Sequence, residues 1–343
     1  MAPSTDPSIW NQPVSVPEEA ISYVDDAVIE KMPEGTKVLS IARSGSSYWA
    51  QTAKITTVNS KRNEIPYFIK VNQGEDGHKL VRGEYHSMTT LYDAMPELVV
   101  KPYGYGSYKK MEDTHFFLCS FHELKNGVPD INVFPALVAE LHNRKTSPDG
   151  TFGFPYETYG GRLPQFFPVS TSWEETFASG LQRTFNSEEK SQGYDEDMAQ
   201  LRRAIMNKVI PRLIRPLETG PDKIQPRLVH GDLWDGNCAV DIKTGKPVIF
   251  DATCLWAHSE YELGPWQPLR HTINQRYIER YVECTKKISP PEEDFEDRVL
   301  LYSLRFNLHS SSLYPGNTMF REIVREDMRK LVEKFPHGYQ GVS

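Results

Sequence analysis

Residues 227–263 read RLVHGDLWDGNCAVDIKTGKPVIFDATCLWAHSEYEL, and the reading of the whole chain turns on them. A short apolar run, Leu228-Val229, leads into His230-Gly231-Asp232, and Asn237 follows Asp232 at an interval of five. After a Lys243-Thr244-Gly245 turn, the β-run Pro247-Val248-Ile249-Phe250 delivers a second carboxylate, Asp251. Each residue alone also fits an ordinary turn or cap. Three side-chain oxygens at those intervals, between strands, are much harder to obtain by chance. The set suits phosphoryl transfer from a nucleotide. One carboxylate accepts the proton of an attacking hydroxyl, while an amide oxygen and a second carboxylate hold the Mg²⁺ that bridges the phosphates. Asp232 is therefore the catalytic candidate, and Asn237 and Asp251 are the metal-ligating candidates.

Upstream, the pattern changes to β. Strands are predicted over 37–41 and 48–57, separated by Arg43-Ser44-Gly45-Ser46-Ser47. Such a small-residue turn can lay backbone N–H groups over a triphosphate, although most are plain hairpins. In a third strand, 65–71, Lys70 interrupts an apolar run. An inward lysine is costly unless its charge is paired. A nucleotide phosphate and Glu84, early on a helix predicted over 79–95, are the natural partners; the alternative is an edge lysine and a solvated glutamate. Residues 98–123 read as two further strands: Val99-Val100 leads into the turn-rich Pro102-Tyr103-Gly104-Tyr105-Gly106, and the second strand, over 115–121, is strongly apolar. A five-stranded sheet with one helix thus closes near residue 120. Ser120, Phe121 and His122 fall on the link, where backbone groups can read an adenine edge; the side chains of His122 and Glu123 are expected to be exposed, without chemistry. The nucleotide-binding candidates are Gly45, Ser46, Ser47, Lys70, Glu84, Ser120, Phe121 and His122.

The flanks are plainer. Residues 1–17 read as a loosely packed extension and 17–31 as a helix opening on acid. Beyond the link, helices are predicted over 134–144, 171–181, 197–217, 272–286, 292–309 and 319–335. Residues 148–168 form an aromatic-rich irregular stretch beside the site, and 187–195 a loop. His142 reads as a core histidine. The expected domains are an extension (1–17), an N-terminal lobe (18–119), a hinge (120–127) and a helical C-terminal lobe (128–343).

The chain has 343 residues, 38% hydrophobic and 25% charged, with a net charge of −7, so a nucleic-acid surface is not indicated. No apolar run approaches the ~20 residues of a membrane span, and the N-terminus lacks a secretory signal pattern. Its four cysteines are scattered, with no zinc spacing, and suit a reducing, cytoplasmic setting.

At His230–Asn237 the sequence HGDLWDGN resembles the HGDLWSGN motif of fructosamine kinases (ketosamine-3-kinases), a branch of the protein-kinase-like and aminoglycoside-phosphotransferase-like superfamily. The resemblance runs over roughly residues 35–335. FIKVN at 68–72, VRGEYHSM at 81–88, ELH at 140–142, DGTFGFP at 149–155 with the RLPQ that follows it, and WAHSEYEL at 256–263 are similar to blocks of that family. It implies an α+β, bilobal protein-kinase-like fold: an N-lobe with a five-stranded antiparallel sheet and helix C, and a mainly helical C-lobe. It further implies ATP and Mg²⁺ as cofactors and a glycated amine or glycated protein as acceptor. The 3-hydroxyl of the ketosamine is phosphorylated and the product then sheds its amine, which is deglycation. By position, Asp232 accepts the proton, Asn237 and Asp251 bind Mg²⁺, Lys70 braced by Glu84 meets the phosphates, and Trp234 contacts the substrate. His258, Glu260 and Glu262 match a block expected to be structural. Three departures stand out. The phosphate turn is RSGSS instead of a glycine-rich, cysteine-bearing loop. Asp235 replaces a serine and adds negative charge beside the substrate. Asp251 is followed by Ala252-Thr253 and not by proline. Other readings are a different small-molecule phosphotransferase of the aminoglycoside or choline kinase type, or a nucleotide-binding pseudokinase. A monomer is expected.

Overall fold

The computed structural model describes residues 16–341 apart from 46, 48, 220, 221, 286 and 287. After a short helix α1 (Asp26–Ile29), five strands, β1 (Lys37–Arg43), β2 (Gln51–Val58), β3 (Glu64–Gln73), β4 (Pro102–Ser107) and β5 (Thr114–Ser120), form one antiparallel sheet. Their order is β1-β2-β3-β5-β4, with helix α2 (Gly74–Ala94) between β3 and β4. Alternation along β3 sets the two faces. Tyr67, Ile69 and Val71 are buried with Val16, Ile21, Val28 and Phe116. The intervening Phe68 and Lys70 project oppositely, toward α2 and the second lobe.

Two expectations change here. The helix over 17–31 is broken into a 3₁₀ turn (Glu18–Ile21) and α1. Asp25 breaks it, because its carboxylate accepts from the N–H groups of Ala27 (2.9 Å), Lys109 (3.0 Å) and Lys110 (3.0 Å), a set no mid-helix residue can reach. Val16 is buried and accepts from Gln51 through its carbonyl, so the chain is already packed there; residues 1–15 lie outside the description. Pro102–Gly106, read as a turn, is most of β4. Its glycines serve packing, since a Cβ on Gly104 would lie 2.8 Å from the Lys31 side chain and one on Gly106 3.2 Å from Phe116.

The second lobe is mainly helical. Its elements are β6 (Leu124–Lys125), α3 (Phe134–Arg144), the hairpin β7 (Thr158–Gly160) and β8 (Leu163–Gln165), α4 (Trp173–Gln192), α5 (Glu196–Ala204) and α6 (Ile210–Ile214). There follow β9 (Arg227–Val229), β10 (Cys238–Asp241), β11 (Pro247–Ile249), β12 (Leu255–Ala257), α7 (Gln275–Thr285), α8 (Phe295–Leu313) and α9 (Met319–Lys334). Residues 187–192 are helical, not a loop. The buried Glu188 forms a two-point pair with Arg321 (2.6 and 2.9 Å), and Gln192 donates to the Ser311 carbonyl at 2.7 Å. The helix expected over 197–217 keeps one buried stripe but widens into a π turn at Ile205–Val209. Pro211, which has no N–H to offer the preceding turn, follows directly. The lobes are joined beyond the link by main-chain bonds: Val100 N–H to Ile249 O (3.3 Å) and Ile249 N–H to Leu98 O (2.9 Å).

Two histidines, the buried His258 and the half-buried His309, contribute a pH dependence to stability. His258 bonds Tyr302 Oη (3.0 Å) and Ser289 Oγ (2.8 Å), and burial depresses it to about 4. His309 donates from Nε2 to Gly160 O (2.9 Å), and burial depresses it to about 3. Both stay neutral in the fold and protonate near 6.5 when unfolded, so the unfolded state binds more protons below that pH. The histidine contribution to the urea midpoint is expected to hold above pH ~6.5 and to fall between ~6.5 and ~4, against the opposite contribution of Asp232, whose buried carboxyl is raised to about 7. His309→Gln should flatten that fall relative to wild type.

Candidate active site

The loop after β9 is built on backbone donors. Glu262, fully buried, accepts from the N–H of Gly231 (3.0 Å) and from the N–H of His230, and His142 Nε2 lies 3.6 Å from its carboxylate. Burial works against the Glu262 charge, but these partners hold its pKa below the ordinary value. His230 donates from Nε2 to Phe250 O (2.9 Å) and accepts at Nδ1 from the Asp232 N–H (3.3 Å). That pattern fixes one neutral tautomer, and burial depresses the His230 pKa accordingly. Gly231 turns the chain with φ +82°; a Cβ there would lie 2.3 Å from Thr253 O. Trp266 Nε1 closes the loop onto Leu233 O at 2.6 Å.

Hairpin register then brings the oxygen donors together. Cys238 pairs with Ile249 across β10 and β11, and the Phe250 N–H donates to Asn237 O (3.1 Å), so Asp251 emerges beside Asn237. Asn237 Nδ2 donates to both Asp232 O (2.8 Å) and Asp232 Oδ2 (3.0 Å). Asp251 takes a left-handed conformation, φ 60°, which aspartate tolerates better than most residues. Burial pushes the Asp232 carboxyl up to about 7; Arg305 and the Asn237 amide oppose the rise, while Asp251 and Glu262 add to it.

From the other lobe, Lys70 Nζ stands 2.8 Å from Glu84 Oε1 and 2.5 Å from Asp251 Oδ1. Burial works against the ammonium, but the Asp251 and then the Glu84 carboxylate outweigh it and raise the Lys70 pKa. For Glu84, burial pushes the carboxyl up, with Lys70 opposing and Asp251 adding.

These groups line two adjoining cavities. One, of about 560 Å³, is bounded by Gly45, Ser47, Lys70, Glu84, Ser120, Phe121, His122 and Asp251, with apolar walls from Phe68, Met88, Val100, Leu124, Ile242 and Phe250. The other, of about 370 Å³, is bounded by Asp232, Trp234, Asn237 and Asp251 together with Trp49, Tyr159 and Gly161. Lys70, Glu84 and Asp251 border both. Ser46 lies outside the described residues. The His122 side chain is not free: Nδ1 meets Asp241 Oδ2 (2.8 Å) and Nε2 meets Ser120 Oγ (2.9 Å). Asp235 accepts from the N–H groups of Thr272 (2.7 Å) and Ile273 (2.9 Å), so its carboxylate anchors the segment carrying His271 instead of facing the substrate freely. Glu260 forms a buried pair with Arg298 (2.7 and 3.1 Å).

Sequence reasoning missed the apolar walls of the larger cavity, as well as Trp49 and Arg305. Arg305 is buried, with Phe306 4.7 Å from its guanidinium and no hydrogen-bond partner among the described residues. No spacing rule links it to Asp232. As for a divalent ion, Asn237 uses its amide nitrogen on Asp232, which leaves Oδ1 as a hard donor beside the Asp251 carboxylate. Two such oxygens suit Mg²⁺, which takes its remaining ligands from water and phosphate. Among the described residues no cluster of three or more His, Cys, Asp or Glu could hold a metal by itself.

The fold and this convergence define a bilobal, protein-kinase-like phosphotransferase. A model of the family described as "Fructosamine kinase" matches residues 42–334. Mouse ketosamine-3-kinase is 31% identical over 277 residues, 74% of this chain and 85% of that protein. A chloroplastic protein-ribulosamine 3-kinase of Oryza sativa subsp. japonica is 30% identical, covering 74% of this chain and 69% of the relative. Among solved structures, one from Thermobifida fusca assigned to fructosamine-3-kinase superposes with a TM-score of 0.65 at 19% identity, covering 87% of this chain and 95% of that one. An aminoglycoside phosphotransferase in complex with AMP-PNP and hygromycin B gives 0.56 at 15% identity, covering 86% and 94%. The chain belongs to the fructosamine kinase family, and it is an ATP-dependent kinase.

The brace on the loop is testable. Glu262→Ala strands the two buried N–H groups of His230 and Gly231, which is expected to cost about 2–4 kcal/mol in urea unfolding. Glu262→Gln, which keeps one acceptor oxygen, should lose less.

Proposed function

We propose that this enzyme phosphorylates the 3-hydroxyl of ketosamines, the fructosamine or ribulosamine adducts of amines and proteins, and so initiates deglycation. The observation that carries the reading is the convergence of Lys70, Asp232, Asn237 and Asp251 on two cavities that share a border. ATP occupies the larger cavity, with its base against the link at Ser120–His122 and its phosphates toward Gly45, Ser47 and Lys70. Lys70, braced by Glu84, neutralises phosphate charge. Asn237 and Asp251 would hold Mg²⁺, which would supply further neutralisation of phosphate charge. The ketosamine occupies the smaller cavity, its sugar against Trp234 and its 3-hydroxyl facing Asp232.

The transfer needs little covalent help from the protein, because a loose phosphoryl transition state responds mainly to positioning and charge. The hydroxyl oxygen bonds to the γ-phosphorus as the bond to the departing ADP oxygen breaks, and the hydroxyl proton passes to Asp232. The raised affinity of Asp232 for protons strengthens it as an acceptor. Once the 3-phosphate has eliminated, the amine is released. The dispersed, unpaired thiols suit a cytoplasmic enzyme, and the reading needs one copy of the chain.

A coupled ADP-release assay with fructosyl-lysine and ribulosyl-lysine, with and without Mg²⁺, tests this reading; turnover of aminoglycosides but of neither ketosamine would overturn it. Asp232→Ala is expected to lose at least ~10²-fold in kcat with ATP binding retained. Asp251→Ala should abolish the Mg²⁺ dependence together with most of the rate. Near-wild-type turnover in Asp232→Ala would remove the proton-acceptor role.

A further inference from the structure

The smaller cavity has a wall that its catalytic groups do not explain. Trp234, 40% exposed, borders it from the second lobe, while Trp49 borders it from the segment after the phosphate turn. Trp49 is absent from the lining of the nucleotide cavity, which takes Ser44 and Gly45 from the same segment. The segment therefore serves two spaces: its glycine end faces the nucleotide, and its indole end faces the acceptor.

What holds the indole belongs to the other lobe. Gly161, at the tip of the β7–β8 hairpin with φ +58°, leaves so little room that a Cβ there would lie 2.9 Å from Trp49 Cε2 and Nε1. The Arg162 guanidinium stands 5.5 Å from the Trp49 ring centroid. Tyr159, from the same hairpin, borders the same cavity, and its hydroxyl donates to Glu157 Oε2 at 3.1 Å. An indole on a turn would ordinarily lose rotamer freedom on meeting a ligand. Here the hairpin has already fixed it.

We propose that Trp49 is an acceptor-binding residue: held by Gly161 and Arg162, it forms with Trp234 a two-indole clamp on the sugar, and the β7–β8 hairpin determines which acceptors fit. This inference rests on the ketosamine reading of the site. A ketose carries C–H faces between its hydroxyls. Aromatic walls pack against those faces while Asp232 meets the hydroxyl to be phosphorylated. The clamp also spans the lobes, so the acceptor's sugar contacts the sheet lobe without touching the phosphates.

Steady-state kinetics on the full chain tests it. Trp49→Ala is expected to raise KM for fructosyl-lysine ~5–10-fold while KM for ATP stays at the wild-type value, and Trp49→Phe should recover part of the loss. Arg162→Ala should shift the acceptor KM in the same direction by less. If Trp49→Ala is poorly folded, the Phe variant and Arg162→Ala decide, alongside tryptophan fluorescence on titrating wild type and Trp49→Phe with a 3-deoxy fructosyl-amine. The clamp is overturned if the acceptor KM is unchanged or if the ATP KM rises as much. Absence of any wild-type ketosamine turnover would overturn the functional reading and the clamp together. Wild-type turnover with unaltered Trp49 variants would overturn the clamp alone.

Discussion

The ammonium of Lys70 is the point through which the two lobes are made to agree. It is only 12% exposed and touches carboxylates from two distant parts of the chain, Glu84 on α2 and Asp251 after β11. A buried lysine without partners would cost several kcal/mol, and each buried or half-buried carboxylate without the lysine would be penalised in turn. The three charges therefore specify a mutual placement of β3, α2 and the β11 end more than they add net stability. That placement sets the border of both cavities, so the group proposed to meet phosphate is fixed by the constraint that aligns the helix. Neutral contacts reinforce it. Gly83 lets α2 approach so closely that a Cβ there would lie 2.4 Å from Glu157 O, and the Cys254 N–H donates to Ser87 Oγ at 3.2 Å.

On the other side of the cleft, the loop bearing Asp232 is held largely through its main chain. Glu262 takes two N–H groups, Trp266 grips the Leu233 carbonyl, and Asn237 spans both the carbonyl and the carboxylate of Asp232. Such a loop is rigid before substrate arrives, which is what a reaction governed by positioning requires. It also explains why Glu262 and Glu260, both in the WAHSEYEL block, differ in reach. Glu262 meets the catalytic loop, whereas Glu260 meets Arg298 on α8 and the Ser289 N–H.

The legible parts of the sequence were those where local chemistry contradicts its surroundings. A lysine in the apolar run of β3 demanded a partner, and Asp232, Asn237 and Asp251 sit at intervals that one hairpin can fold together. The five-stranded sheet was countable because strands alternate. Legibility failed where long-range packing overrode composition. The Pro-Tyr-Gly-Tyr-Gly run looks like a turn, yet it is a strand because Gly104 and Gly106 make room for Lys31 and Phe116. The polar stretch after Asn186 looks like a loop, yet Glu188 and Gln192 are buried against partners more than a hundred residues away. Trp49 and Arg305 escaped for the same reason: what links them to the site is distant in sequence, Gly161 and Arg162 for Trp49 and Asp232 for Arg305.

The two kinds of fixation divide the site's tasks. Groups that must not move between substrates, Asp232, Asn237 and the backbone around Gly231, are tied by buried hydrogen bonds whose loss would strand polar atoms. The surfaces proposed to meet the variable part of an acceptor are held by ring contacts and close approach: Trp234 lies over Gly236 and beside His271, and Trp49 lies against Gly161 and Arg162. A change in those walls alters shape while leaving the buried hydrogen bonds around Asp232 and Gly231 in place. The residues proposed to select the acceptor and those proposed to react are therefore held by interactions of different stringency.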